Sequence, residues 1–296
     1  MENLDKWKKA GKIAAQAREY AKDLVKKGAV IREVCDKIDA KIIELGAKPA
    51  RPTQVGLNQV AAHWTPDHDD DRKFEDEVVC VDIGAHIDGC IGDNAFSVDL
   101  SGKHENILLA AKEALENAAK ILRPGVTMNE IGQTIHDSIR KHDAVPVKNL
   151  SGHGISEYDI HDLPSVPNYP NGDDTELEEG EIIAIEPFAT DGLGFVDEME
   201  QGNLFSLEQT KPVRSQFARE IMKYVDEEYG PMVFCSRWLV RKFGTGKTNL
   251  AIRELVRVGN LHTYPPLVER AQGKVAQFEN TFLITKEGAE VLTRVN

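Results

Sequence analysis

Apolar residues recur every three to four positions in "GAVIREVCDKIDAKIIELGA" (28–47) and again in "GVTMNEIGQTIHDSIRKHDA" (125–144). That spacing lines one face of an α-helix. Another helical pattern precedes each stretch, "AQAREYAKDLVKK" and "LLAAKEALENAAKIL". The copies align at an offset of 97: Gly28 meets Gly125, Glu33 meets Glu130, and Val34, Ile38 and Ile42 meet Ile131, Ile135 and Ile139. Two amphipathic helices can agree by chance, but the agreement continues. The β-prone run "EDEVVCVD" (75–82) parallels "EEGEIIAIE" (178–186), which sets Asp82 opposite Glu186. "LNQVAAH", ending at His63, parallels "KNLSGH", ending at His153. The pattern predicts two related halves, each of helix, helix and strands.

Within the first half, "CVDIGAHIDGCIGDNA" (80–95) reads as a strand, a tight turn and a second strand. Asp-Gly between apolar runs signals a two-residue hairpin turn. With Asp88-Gly89 as that turn, Ile87 pairs with Cys90 and Gly84 lies opposite Asp93. Strand side chains alternate, so Asp82 and Asp93 become diagonal neighbours on one face, roughly 7–8 Å apart at Cβ. They are either solvated aspartates or a pair that needs a cation between them.

A pseudo-twofold between the halves brings corresponding strands to the centre. Asp82 and Glu186 then face one cleft, with His63 and His153 nearby. A third acidic strand, "KVAQFENTFLIT" (274–285), carries Glu279 inside an apolar run. Asp82, Asp93, His153, Glu186 and Glu279 make four carboxylates and one imidazole, a donor set for divalent cations. Two ions bridged by carboxylates balance that charge better than one. No Cys/His spacing of a structural zinc site occurs.

Composition narrows the setting. The 296 residues can bury a sizeable core, and the net charge of −13 argues against nucleic acid binding over the whole surface. Four cysteines, Cys35, Cys80, Cys90 and Cys235, form no CxxC, as expected of reduced thiols in a cytoplasmic protein. No apolar run approaches membrane-spanning length, and "MENLDKWKKAGK" has no signal-peptide core.

At these residues the chain resembles the methionine aminopeptidases of the type 2 class. The matching stretches run from "NQVAAHWTP" through "VDIGAHIDGCIGDNAFSV", "NLSGHGISEYDIHDLPSVPN" and "EEGEIIAIEPFAT" to "YPPLVERAQGKVAQFENTFLIT". The resemblance implies an α+β pita-bread fold with pseudo-twofold halves. Its two divalent ions (Co, Mn, Fe or Zn) would be held by Asp82, Asp93, His153, Glu186 and Glu279. It also implies active-site roles for His63 and His161, and a methionine-pocket position for Tyr264. The 93 residues between Glu186 and Glu279 are the type 2 mark, and the short N-terminus resembles archaeal members. The expected reaction removes an N-terminal methionine from nascent proteins with a small second residue, by hydroxide formed between two ions. Glu186 would act as general base and acid, His161 would stabilise the oxyanion, and His63 would contact the scissile amide. Alternatives are an X-Pro peptidase of the same fold, which usually carries a preceding domain, and a non-catalytic binding homologue that has lost ligands. His68, His86, His104, His136 and His142 read as structural or surface histidines.

One departure stands out. The family usually has Phe-Pro where this chain has Arg51-Pro52, and the expectation is that Arg51 alters the rim of the methionine pocket but not the metal site. Residues 1–199 with 263–296 form the expected catalytic domain, and 200–262 a helical, winged-helix-like insert. Helices are expected in "SQFAREIMKYVDEEYG", "MVFCSRWLVRKFG" and "TNLAIRELVRVG", with Ser215 as an N-cap and Gly230, Gly244 and Gly259 as stops. "FGTGKT" reads as an ordinary turn, because Arg241 stands where a phosphate-binding loop needs glycine. Between Leu207 and His262 there are ten basic residues against six acidic ones. That charge is either a patch for docking on the ribosome surface, through residues such as Arg237, Arg241 and Lys242, or a solvated face paired with the acidic body. A monomer is expected, without membrane or specific DNA partners.

Overall fold

The structure is a computed structural model and describes residues 3–295. Helices α1 (Leu4–Leu24) and α2 (Ile31–Glu44) form on the first helical patterns, and α3 (Glu105–Ile121) and α4 (Met128–Arg140) on their copies. The aligned triads do the same work in separate cores. Val34, Ile38 and Ile42 bury with Val79, Val81 and Ile83, while Ile131, Ile135 and Ile139 bury with Ile183, Ile185 and Phe282. Burying each such side chain is worth about 1.5–3 kcal/mol, so the repeat marks where much of the stability lies. The copies differ at their starts. Thr127 and Glu130 form a reciprocal capping box on α4. The aligned Val30 has no hydroxyl to accept a bond, so α2 starts without a side-chain cap and Val30 instead bridges Lys73.

The hairpin has the expected register. Strand Val78–Ile87 pairs with Cys90–Asp99, Ile87 opposite Cys90 and Gly84 opposite Asp93. Asp88 and Gly89 both take positive φ, 48° and 87°, as the tight turn requires. Helix α1 lies directly on this hairpin. A Cβ at Gly92 would stand 2.4 Å from the Gly11 Cα, so only glycine allows that approach.

The second half is a five-stranded sheet ordered Gly288–Val291, Asn280–Thr285, Ile182–Ile185, Ser151–Ser156, Asp159–Pro167. The halves join where Ala95 and Glu279 exchange backbone hydrogen bonds of 3.1 and 3.4 Å. Three acidic positions, Asp93, Glu186 and Glu279, therefore meet at one seam. No described helix is long and apolar enough to cross a membrane, and all four cysteines are buried and free.

Beyond residue 200 the chain builds α5 (Gln216–Glu228), α6 (Ser236–Phe243) and α7 (Thr245–Arg257). A small sheet of Leu204–Leu207, Phe234–Cys235 and Leu261–Tyr264 accompanies them. These elements bury their own apolar cluster, including Phe205, Ile221, Phe234 and Leu255. Ser215 caps α5, its side chain accepting from the Ala218 N–H, and Gly230, Gly244 and Gly259 follow helix ends with positive φ. Three expectations need correction. Phe234–Cys235 pairs as a strand with Leu204 and Phe205, so α6 is shorter than its periodicity suggests. "FGTGKT" is not a free turn, because Gly244 alone separates α6 from α7. Arg237 is fully buried and so lies outside any surface patch, whereas Arg241 is exposed and paired with Asp36.

Candidate metal centre

Strand pairing carries the site residues inward. Asp93 and Glu279 are fully buried, and His153 nearly so. One donor atom from each of Asp93, His153 and Glu279 lies within 4.8 Å of the others. His153 Nδ1 donates to the Gly154 carbonyl at 3.0 Å, which fixes the tautomer and leaves the Nε2 lone pair facing the carboxylates. Nε2 is 3.4 Å from Glu186 Oε1 and 3.9 Å from Asp93 Oδ2. Glu186 Oε2 accepts from Gln277 Nε2 at 2.8 Å, so its other oxygen is the one turned to the site. Asp93 Oδ2 and both Glu279 carboxylate oxygens are buried with no hydrogen-bond partner in the protein. Buried carboxylate oxygens without donors call for a cation, and this oxygen-rich set with one imidazole fits a divalent metal ion.

The electrostatics agree with that reading. Burial first, then Asp82 and Asp93, push Glu186 well above the usual carboxylate range. Burial, Asp93 and Glu186 do the same to Glu279. Burial also raises Asp93, against the opposing pull of Arg51. His153 is pushed down to about 4, chiefly by burial, and is neutral at pH 7 as a metal-binding imidazole must be.

Two histidines stand at the cleft. His161 has its ring centroid 4.7 Å from that of His153, at 85°. Burial by the surrounding walls, His153 and Arg51 hold it well below its ordinary pKa, although its edge is exposed to the cleft. His63 adopts a left-handed φ of 61°, and its N–H donates to Gln54 Oε1 at 2.8 Å. Burial lowers its pKa to about 4. Both histidines, with Asp82, His153, Glu186 and Gln277, line a cleft of about 340 Å³. Tyr264 packs edge-on against His63 at 5.7 Å, while its hydroxyl pairs with Ser206 Oγ at 3.1 Å. It contributes to the cleft through His63.

Asp82 is set apart from the tight cluster by Arg51, and here the sequence expectation is overturned. Arg51 does more than edge the pocket. It is buried, and a single nitrogen, Nη2, reaches both Asp82 Oδ1 and, at 2.6 Å, Asp93 Oδ1. Arg51 thus touches two of the expected ligand carboxylates directly.

Residues 5–286 match metallopeptidase family M24. The chain belongs to that family. Within it, the chain is 44% identical to the methionine aminopeptidase of Archaeoglobus fulgidus over 286 residues, 96% of each chain. It is 36% identical to that of Methanocaldococcus jannaschii over 295 residues, 99% of each. Among solved structures, a thermophilic Arx1 superposes with a TM-score of 0.85 at 18% identity, covering 98% of this chain and 90% of that one. The methionine aminopeptidase of Thermotoga maritima gives 0.73 at 23%, covering 98% and 96%. These likenesses establish the pita-bread fold for this M24 chain. Sequence reasoning missed Gln277, which orients Glu186, and Gln54, which positions His63. Gln277 ends one strand, Val275–Gln277, and lies two residues before Glu279, and that closeness to an acid buried in an apolar run was the available signal.

Proposed function

We propose that this chain removes the N-terminal methionine from nascent polypeptides and peptides with a small second residue, using divalent metal ions. The observation that carries the reading is the convergence of Asp93, His153, Glu279 and Glu186 beside a cleft walled by His63 and His161. The identity to archaeal methionine aminopeptidases over nearly the whole chain supports it.

Asp82, Asp93, His153, Glu186 and Glu279 are the proposed ligands, enough for two ions of Co, Mn, Fe or Zn type. A divalent ion held by these residues would supply an acidified water and a polarised substrate carbonyl. Glu186 takes the proton from the attacking water and passes it to the leaving amine. His161, neutral, donates an N–H to the oxyanion that develops on the carbonyl. His63 holds the scissile amide from the other wall, with Tyr264 fixing its ring. Residues 200–262 form the separate insert. Docking on the ribosome, if it uses this module, falls to exposed residues such as Lys211, Lys223, Lys247, Arg253 and Arg257.

Product analysis tests the reading. Protein loaded with Co²⁺ or Mn²⁺ is expected to release methionine from a Met-Ala-Ser peptide and to leave an Ala-Pro peptide intact. Cleavage of Ala-Pro in place of Met-Ala would replace this reading with an X-Pro peptidase. Failure to cleave either, with metal bound, would replace it with a binding role.

A further inference from the structure

Arg51 divides the five-residue centre into two unequal parts. Its Nη2 lies between Asp82 Oδ1 and Asp93 Oδ1, the position a bridging cation takes between two carboxylates. Apart from this nitrogen, the Asp82 carboxylate has no hydrogen-bond or ion-pair partner among the described residues. The other side of the centre keeps its donors free: Asp93 Oδ2 and both oxygens of Glu279 have no protein partner, and His153 Nε2 faces them. Asp93 is shared, one oxygen turned to each side. The guanidinium is planar and permanently charged, with 5% of its side chain exposed, so it brings a full positive charge to the Asp82 side.

We propose that Arg51 is a built-in competitor for the Asp82 side of the centre. The first divalent ion goes to Asp93, His153, Glu186 and Glu279, and a second ion enters only by displacing the guanidinium from Asp82 and Asp93. This rests on the metal-dependent reading above and deepens it, because it assigns Arg51 a part in how tightly the second ion is held. Two effects act in the same direction. The second ion must break two charge-assisted bonds, and it must approach a like charge a few ångströms away. A unit charge at about 4 Å in a partly screened site changes affinity by two or more orders of magnitude. The chain therefore works with one firmly held ion over a wide range of metal concentration, and its second position responds to metal supply.

Metal binding itself, read without turnover, is the test. Equilibrium dialysis of metal-stripped protein against Mn²⁺, followed by metal analysis, gives ions bound per chain. The parent is expected to take one ion tightly and the second on the order of a hundredfold more weakly. Arg51→Met, which removes the charge and keeps most of the apolar stem, is expected to tighten the second step by a similar factor and to change the first much less. Equal second-step affinities in parent and variant would overturn the proposal while leaving the metal reading intact. No ion bound by either protein would overturn both. A second measurement needs no variant: anomalous scattering from parent crystals equilibrated with one equivalent of Mn²⁺. The ion is expected among Asp93, His153, Glu186 and Glu279, with Arg51 still on Asp82. An ion bound first between Asp82 and Asp93, with Arg51 turned away, would refute the order of filling.

Discussion

Arg237→Met is expected to cost about 3–5 kcal/mol, even though Arg237 is remote from the metal centre. The guanidinium is fully buried where α6 meets α2. Its Nε pairs with Asp36 Oδ1 at 2.9 Å, its Nη1 donates to Thr65 Oγ1 at 2.9 Å and to the Pro66 carbonyl, and Nη2 lies 3.5 Å from Asp39 Oδ2. Asp39 is buried too, and its other oxygen accepts from the Thr53 N–H and hydroxyl at 3.0 and 2.7 Å. Methionine fills the volume but leaves Asp39 charged and only partly compensated. Breaking one side of a buried pair costs about 3–5 kcal/mol, a large part of the roughly 5–15 kcal/mol typical of a folded protein.

Urea unfolding monitored by near-ultraviolet circular dichroism measures the cost. Trp238 donates to Asp39 Oδ2 at 3.2 Å, so its fluorescence reports the same junction. The cause is separable from lost packing. Adding Asp39→Asn to Arg237→Met removes the stranded charge, and the double variant is expected to recover about a third or more of the loss. A single variant that loses less than about 1 kcal/mol, or a double variant no better than the single, would refute a buried-charge origin. The same junction holds Thr53, two residues from Arg51, so Arg237→Met is also expected to raise the KM for methionyl peptides. Lost order around residues 51–54 is the proposed route.

Glu279→Gln is expected to lower bound metal per chain and nearly abolish turnover, while raising the melting temperature of the metal-stripped protein. Its carboxylate is buried without a donor, so neutralising it relieves repulsion with Asp93 and Glu186; a lower melting temperature would contradict this. His161→Ala is expected to keep its metal and lose about 100–1,000-fold in kcat. A change confined to KM would remove the oxyanion role. His86 gives a pH signature outside the metal centre. Burial holds it near pKa 4 in the fold, against 6.5 when unfolded, so the unfolded chain binds the extra proton first. Its contribution is present above pH 6.5 and is lost as pH falls toward about 4. His86→Gln, which keeps an acceptor for the Gly89 N–H, is expected to flatten the stability profile in that window.

What the sequence makes legible here is what short-range rules govern. The Asp88-Gly89 turn sets a register, and a register with period-two alternation is enough to put Asp82 and Asp93 on one face. The 97-residue repeat then carries that geometry across the pseudo-twofold, because the aligned triads bury equivalently in both halves. Arginine escapes such rules. Arg51 and Arg237 look like surface charge, and nothing local says which carboxylates they will meet. Arg237 finds Asp36 and Asp39 across about 200 residues of chain, and Arg51 finds Asp82 and Asp93 across 31 and 42. Both are long enough to carry charge inward from a loop or helix edge, and both are held there by acids that the fold buries for other reasons. The seam between halves concentrates carboxylates, and a permanent cation within reach lowers the energy of that arrangement. Arg51 thus changes the charge of the centre while leaving all five proposed ligands in place, so a count of ligands alone does not define this chain's metal chemistry.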